Sequence, residues 1–326
     1  MRAIAVPTPG DAHALRLVEV PEPVPTEREV LIRVKAAGLN GADLSQRRGF
    51  YAPPPGAAPW PGLEVSGEIV QVGASVSEWA IGDRVCALLP GGGYAEYATV
   101  DAGLVLPVPP GVDLIDAAGL PEVTATVWSN VFQLAQLQPG EVLLAHGGSS
   151  GIGSMAIQLG AAFGARVLAT AGGPEKVAFC RGLGAEAAID YRVDDFVAVV
   201  RDFTGGRGVD VVLDIVGGDY IARDLEALAT GGRIMSIANR DSAPSTIDMG
   251  VLMRKRARIW GTTLRARPLD ERVAIIAAVR EHVWPLIEAG RLHPVIDSVF
   301  PLEDAAQAHL RMESSIHLGK ILLQLH

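Results

Sequence analysis

The sequence predicts an α/β protein: a doubly wound parallel-sheet domain joined to a β-rich, partly open barrel. Three observations carry this. Before about residue 121, short strand-like runs alternate with Pro and Gly turns; beyond it, apolar strands alternate with helices. The run Glu141 to Val167, EVLLAHGGSSGIGSMAIQLGAAFGARV, reads as strand, glycine-rich turn, amphipathic helix and the start of a second strand.

In the first region the strands are VLIRVKAAGL, EVSGEIVQVG, DRVCALL and YAEYATV. Pro109-Pro110-Gly111 marks a loop, and the helical LIDAAGL leads to Pro121. Then come the helical VWSNVFQLAQL and the alternation EVLLAH, the turn helix, ARVLATA, EKVAFCRGLG, AEAAID, DFVAVVRDF, VDVVLDIVG, YIARDLEALA, GRIMSIAN, LMRKRA and RIWGTTL. Such alternation implies a parallel sheet covered on both faces. A long helix is expected from about Leu269 to Ala289, and the tail returns to strand, helix, strand. The predicted division is 1–121 for the first part of the barrel domain, 122–288 for the sheet domain and 289–326 for a return to the barrel.

The 326 residues are 49% hydrophobic and 20% charged, with a formal charge of −9, which suits a compact globular chain. Only Arg254-Lys255-Arg256 clusters basic residues, so no nucleic-acid partner is expected. The two cysteines, Cys86 and Cys180, read as core residues in a reducing compartment. No secretory signal or bilayer-length apolar run stands out, so a cytoplasmic protein without a membrane partner is expected.

Gly148, Gly151 and Gly153 fall where a dinucleotide-binding turn needs residues without a Cβ, so that backbone N–H groups can approach a pyrophosphate at a helix N-terminus. Two rivals share the pattern. Gly147-Gly148-Ser149-Ser150-Gly151 also fits the nucleophile elbow of α/β-hydrolases, with Asp214 as acid and His282 or His293 as base. Short-chain dehydrogenases place such a turn near the N-terminus and use a Tyr-x-x-x-Lys pair; here no tyrosine has a lysine four positions on. The tip of the second strand, Thr170-Ala171-Gly172-Gly173, carries no carboxylate to repel a 2′-phosphate. Lys176 at the next helix neutralises one, and Tyr191 packs beside the adenine–ribose end, so NADPH is favoured over NADH.

The blocks GLNGADLSQRRGFYAPPPG, PGLEVSGEIVQVG, IGDRVCALLPGGGYAEY, AHGGSSGIG, TAGGPEK, LDIVGG, GTTLRAR and LGKILLQL run from end to end. Through them the chain resembles the zinc-free quinone oxidoreductases of the medium-chain dehydrogenase/reductase superfamily, most closely their p53-inducible branch. The resemblance implies a GroES-like barrel domain, a Rossmann domain, NADPH and the reduction of a small-molecule quinone. Zinc relatives carry a Gly-His-Glu motif where this chain has Gly62-Leu63-Glu64, and a catalytic cysteine near the position of Asn40. No metal is therefore expected. A quinone or conjugated carbonyl tolerates that, because charge arriving with a hydride spreads into a delocalised system. The alternatives are an NADPH-dependent alkenal or enone double-bond reductase and a non-catalytic NADPH-binding redox sensor.

The resemblance puts Asn40, Asp43 and Tyr51 near the nicotinamide, with Tyr51 as an orienting hydrogen-bond donor. Thr126 is expected at the nicotinamide phosphate and Gly148, Ser149, Ser150, Gly151 and Ile152 around the pyrophosphate. Gly172, Gly173, Lys176 and Tyr191 would take the 2′-phosphate end. Val216 with Gly217, Ala238 with Asn239, and Leu264 with Arg265 follow strand carboxyl ends, where ligands bind in such sheets. Gly319-Lys320 reads either as closing the cleft or as a barrel strand. The strand from Arg258 to Thr263 reads as a sheet edge, from which a homodimer is expected.

Overall fold

A computed structural model describes residues 1–239 and 244–325. Along the chain these form β1 (Arg2–Ala5), β2 (Arg16–Glu19), β3 (Glu29–Gly38), α1 (Gly41–Arg47), β4 (Glu64–Val72), β5 (Arg84–Leu88), β6 (Tyr97–Asp101), β7 (Val105–Pro107) and α2 (Pro121–Val127). There follow β8 (Val142–Ala145), α3 (Gly151–Ala162), β9 (Arg166–Ala171), α4 (Pro174–Gly182), β10 (Ala187–Asp190), α5 (Phe196–Phe203), β11 (Val209–Asp214), α6 (Tyr220–Ala227), β12 (Leu228–Ser236), α7 (Met249–Lys255) and β13 (Arg258–Gly261). The last elements are α8 (Leu269–His282), α9 (Trp284–Glu288), β14 (Ile296–Pro301), α10 (Ala305–Glu313) and β15 (Lys320–Gln324).

Two compact units result: unit 1 is Met1–Ala125 with Leu264–His326, and unit 2 is Thr126–Thr263. Unit 1 centres on β3. One edge of β3 pairs with β4; the other is shared by β6 over Glu29 to Arg33 and by β15 over Ala36 to Gly38. The sheet runs β14-β15-β3-β4-β5-β7 and is antiparallel except where β14 meets β15. Alternation along β3 buries Val30, Ile32, Val34 and Ala36, so the register is held by apolar packing.

Unit 2 is the expected doubly wound sheet. All six strands are parallel, in the order β10-β9-β8-β11-β12-β13, with the reversal between β8 and β9 on one side and β11 on the other. Every residue of β8 and of β11 is buried, as continuous apolar runs require when helices cover both faces.

Two expectations are corrected. The second boundary lies at 263/264, not at 288. Helix α8 belongs with unit 1, burying Ile275, Ile276 and Val279, and the Trp284 indole donates to the Pro107 carbonyl at 2.8 Å. The single helix from Leu269 to Ala289 is broken at Val283, because Pro285 lacks an N–H and disfavours helical backbone before it.

Candidate functional site: a dinucleotide cradle and a buried polar cluster

In unit 2, β8 ends at Ala145 and α3 starts at Gly151. Between them Gly147 adopts φ +64°, and Ser150 caps the helix by accepting the Gly153 N–H at 3.0 Å. A Cβ on Gly153 would lie 2.2 Å from the Gly147 carbonyl oxygen and 2.5 Å from the Gly148 Cα. One on Gly148 would lie 2.7 Å from the Ala169 Cβ and 2.8 Å from the Cys180 Sγ. Gly153 is therefore required by backbone contact, and Gly148 by packed side chains of β9 and α4. The first turn of the twelve-residue α3 carries no acidic residue, so its N-terminal partial charge is available to an anion. This cradle fits a dinucleotide pyrophosphate, with Ser149 buried and Ser150, Gly151 and Ile152 half-buried around it.

A buried relay that the sequence did not disclose supports the turn. His146 Nε2 lies 2.7 Å from the Asp224 carboxylate and Nδ1 lies 3.0 Å from the Thr170 hydroxyl. That hydroxyl oxygen accepts the Gly147 N–H at 3.3 Å, and the Thr170 carbonyl accepts the Gly148 N–H at 2.8 Å. With its proton on Nε2, His146 donates to Asp224 and accepts from Thr170, so the side chains hold the turn from below. Burial pushes the Asp224 carboxyl up, and the neighbouring His146 pulls it back.

At the tip of β9, the Tyr191 hydroxyl and Arg192 Nε lie 2.6 and 3.0 Å from where a Cβ on Gly172 would be. Arg192 NH1 lies 3.2 Å from that position on Gly173. Asp190 accepts the Gly173 and Arg192 N–H groups at 3.0 and 3.1 Å, which fixes this corner. Arg192 thus lies beside Tyr191 at the tip of β9, a guanidinium suited to a phosphate. The only sequence signal was its place directly after Tyr191.

Asp214 spends both oxygens on the Val216 and Gly217 N–H groups and the Ser236 hydroxyl. These bonds shape the turn after β11. Gly217, at φ +76°, would place a Cβ 2.8 Å from the Ala238 carbonyl oxygen, so the turns after β11 and β12 meet. Thr126 is buried, and its carbonyl accepts the Asn130 side-chain N–H at 2.8 Å.

In unit 1, β3 delivers Asn40 to the start of α1. The Asn40 amide donates to Glu64 at 3.1 Å, and its oxygen accepts from the Lys320 ammonium at 2.8 Å. Lys320 also bonds Glu64 at 2.6 Å and the Leu39 carbonyl at 2.6 Å. Lys320 therefore opens the barrel strand β15 with a buried, fully used side chain. Asp43 accepts the Asn40 and Gly62 N–H groups, each at 2.9 Å, and the Tyr94 hydroxyl at 3.2 Å. Behind it, Tyr94 contacts His309, which contacts Arg47. Burial and the Arg47 charge drive the His309 imidazole down to about 3, so it stays neutral.

Asp43 is 0% exposed and Asn40 9%. Asp43 therefore braces the α1 entrance and the Gly62 turn, with its oxygens engaged within the protein. The side-chain oxygen and amide of Asn40 are likewise engaged within the protein. Tyr51 remains half-exposed. Burial and Glu122 raise its phenol, keeping it a donor, and the Arg265 guanidinium sits 5.3 Å from its ring centroid. Leu264 and Arg265, expected at the cofactor through unit 2, belong to unit 1, where Arg265 donates to the Pro90 carbonyl at 2.5 Å.

The Asp43 carboxyl is pushed up to about 6 by burial, against the pull of the Gly62 and Asn40 N–H groups and the Lys320 and Arg265 charges. A raised carboxyl holds its proton in the folded chain after the unfolded chain has lost it, so this group costs stability above that value and the cost vanishes as pH falls. The stability of the parent chain relative to Asp43→Asn is expected to rise by about 2 kcal/mol between roughly pH 7.5 and 4.5, measured by urea unfolding. A flat difference across that range would contradict the assignment.

A GroES-like barrel unit with a doubly wound dinucleotide unit is the architecture of medium-chain dehydrogenases and reductases. Residues 26–110 match the alcohol dehydrogenase GroES-like domain family, and 183–323 the zinc-binding dehydrogenase family. The quinone oxidoreductase of Lama guanicoe is 34% identical over 100% of this chain and 98% of its own. Escherichia coli quinone oxidoreductase complexed with NADPH superposes with a TM-score of 0.88 at 28% identity, covering all of both chains. The CurK enoyl reductase gives 0.87 at 29% identity, covering 100% of this chain and 99% of its own. The chain belongs to the quinone oxidoreductase family.

The zinc implied by the second family description does not suit the residues present. Position 63 is leucine and position 40 asparagine, and the Lys320 ammonium already sits on both Asn40 and Glu64. Among the described residues no group of three or more His, Cys, Asp or Glu could hold a metal ion.

Proposed function

We propose that this protein is a zinc-independent NADPH:quinone oxidoreductase. The observation that carries the reading is the cradle of unit 2, whose required glycines, acid-free helix start and Tyr191–Arg192 corner suit a phosphorylated dinucleotide. The relatives named quinone oxidoreductase over the full chain support it. Ser149, Ser150, Gly151 and Ile152 hold the pyrophosphate through backbone N–H groups; Thr126, Val216, Ala238 and Asn239 complete the binding edge. Bound NADPH supplies a hydride from nicotinamide C4. Tyr51 donates a hydrogen bond to an acceptor oxygen, while Lys320 and Glu64 keep Asn40 fixed. An acceptor that delocalises the arriving charge needs no metal.

Purified protein is expected to oxidise NADPH with naphthoquinones and phenanthrenequinone faster than with an alkenal. The enoyl reductase likeness favours the alkenal as the second reading, and the reverse order of rates would establish it. Tyr51→Phe should lower kcat with quinone or weaken NADPH binding, by roughly tenfold for one lost hydrogen bond. Unchanged constants on both counts would remove Tyr51 from the mechanism.

The proposal includes a homodimer in a reducing, cytoplasmic setting. Edge strand β13 has half-buried Ile259 and Trp260, nearby α7 exposes Met249 and Met253, and both cysteines are unpaired and buried. Sedimentation at micromolar concentration should show two copies; a monomer there would refute the edge-strand interface. Among the described residues no helix is long and apolar enough to cross a membrane.

A further inference from the structure

Unit 1 contains a cavity of about 680 Å³ that neither the dinucleotide cradle nor the Asn40–Lys320 cluster uses. Its walls come from Thr26–Glu29 ahead of and at the start of β3, the Pro54–Ala57 loop, the end of β6, and the segment from Arg265 to Arg272 that leads into α8. Arg28, Arg265, Arg267 and Arg272 line it, against the carboxylates Glu27, Glu29 and Asp101.

Most of these charges have partners. Asp101 accepts the Gly103 N–H at 3.0 Å and lies 3.6 Å from Arg28; Glu29 accepts the Thr26 N–H at 2.9 Å; Arg267 lies 3.8 Å from Glu271. Two guanidiniums keep unfilled donors, although the charge of Asp101 reaches Arg272 and those of Asp43 and Glu122 reach Arg265. Arg265 is 6% exposed; its Nε is satisfied by Pro90, but NH1 and NH2 have no hydrogen-bond partner. Arg272, half-buried in the first turn of α8, has Nε and NH1 without a partner. An arginine cannot shed its proton to escape this, and unmatched buried donors are unfavourable. Two on the wall of one cavity point to an acceptor of negative charge, and a planar guanidinium pairs best with a carboxylate, sulfonate or phosphate.

We propose that this cavity is an oxyanion-binding site in which Arg265 and Arg272 hold a carboxylate, sulfonate or phosphate group. Arg265 also rests on the ring of Tyr51, the aromatic assigned to the acceptor. The oxyanion is therefore either an ionised substituent of the acceptor itself or a free anion that sets the Tyr51–Arg265 contact.

The test has two arms. In the first, NADPH-saturated protein is unfolded thermally while chloride is replaced by inorganic phosphate or sulfate at constant ionic strength. The midpoint should rise by about 2–4 °C in the parent chain and in Arg272→Lys, and not in Arg272→Gln. The second arm rests on quinone reduction. KM for 1,4-naphthoquinone-2-sulfonate should be roughly tenfold below that for menadione, and Arg272→Gln should abolish that preference with menadione kcat unchanged. A response in the first arm assigns a free anion, and one in the second assigns the acceptor's own substituent. The first arm needs no turnover, so it stands even if no quinone is reduced. A parent chain indifferent to the anion and equally served by both quinones would overturn the site.

Discussion

Gly153→Ala is expected to weaken NADPH binding at least about 100-fold, because the new methyl group has nowhere to go. Its Cβ would sit 2.2 Å from the Gly147 carbonyl oxygen and 2.5 Å from the Gly148 Cα, both backbone atoms. A side chain could rotate aside; a backbone turn must be rebuilt. Rebuilding moves the start of α3 away from β8 and breaks the bond from the Gly153 N–H to Ser150. The N–H groups that would meet a pyrophosphate are then displaced together. Gly182→Ala provides the control. It is the same chemical change near the end of α4, with nothing within 4 Å of the added carbon. Fluorescence titration with NADPH should leave the control unaltered. An affinity for Gly153→Ala within threefold of the parent would show that the turn does not bind the cofactor.

The largest loss of stability is expected from Lys320→Met. Glu64 is 0% exposed and its Oε1 faces the Lys320 ammonium at 2.6 Å, while Oε2 accepts the Glu122 N–H at 2.9 Å. Removing the ammonium strands a carboxylate that cannot reach water, a change typically costing about 3–5 kcal/mol. The loss should exceed that from methylenes alone, since methionine preserves most of the stem. Adding Glu64→Gln to Lys320→Met removes the stranded charge and should recover about half of the deficit. Urea unfolding of both variants decides this. A single variant less than about 1 kcal/mol below the parent would mean that Glu64 finds its compensation elsewhere.

Much of unit 2 was legible in the sequence because its signals are local. The apolar β8, the glycines and the spacing of Met155, Ala156 and Leu159 lie within one stretch, and a parallel sheet leaves no polar face to confuse the reading. Unit 1 was legible in outline and hidden in detail. Asn40, Glu64 and Lys320 meet only because β3 pairs with both β4 and β15, which no spacing rule reveals. The bracing by Asp43 depends on Gly62 and Tyr94, far along the chain. Arg192 was missed because its relevance arises when β10 lies beside β9. Pro285 was visible, but the apolar repeat around it suggested one continuous helix.

The pairing of β15 with β3 has a consequence for biosynthesis. Leu322 lies opposite Gly38, so the barrel strand that emerges early from the ribosome waits for a neighbour made after all of unit 2. Until then Glu64 has no ammonium beside it, and the long-range closure is a slow kind of step. Unit 2, continuous from Thr126 to Thr263, can mature first and shorten the search for the remainder. Ribosome-stalled chains released after residue 300 should therefore resist protease across the dinucleotide unit while their N-terminal strands are still digested.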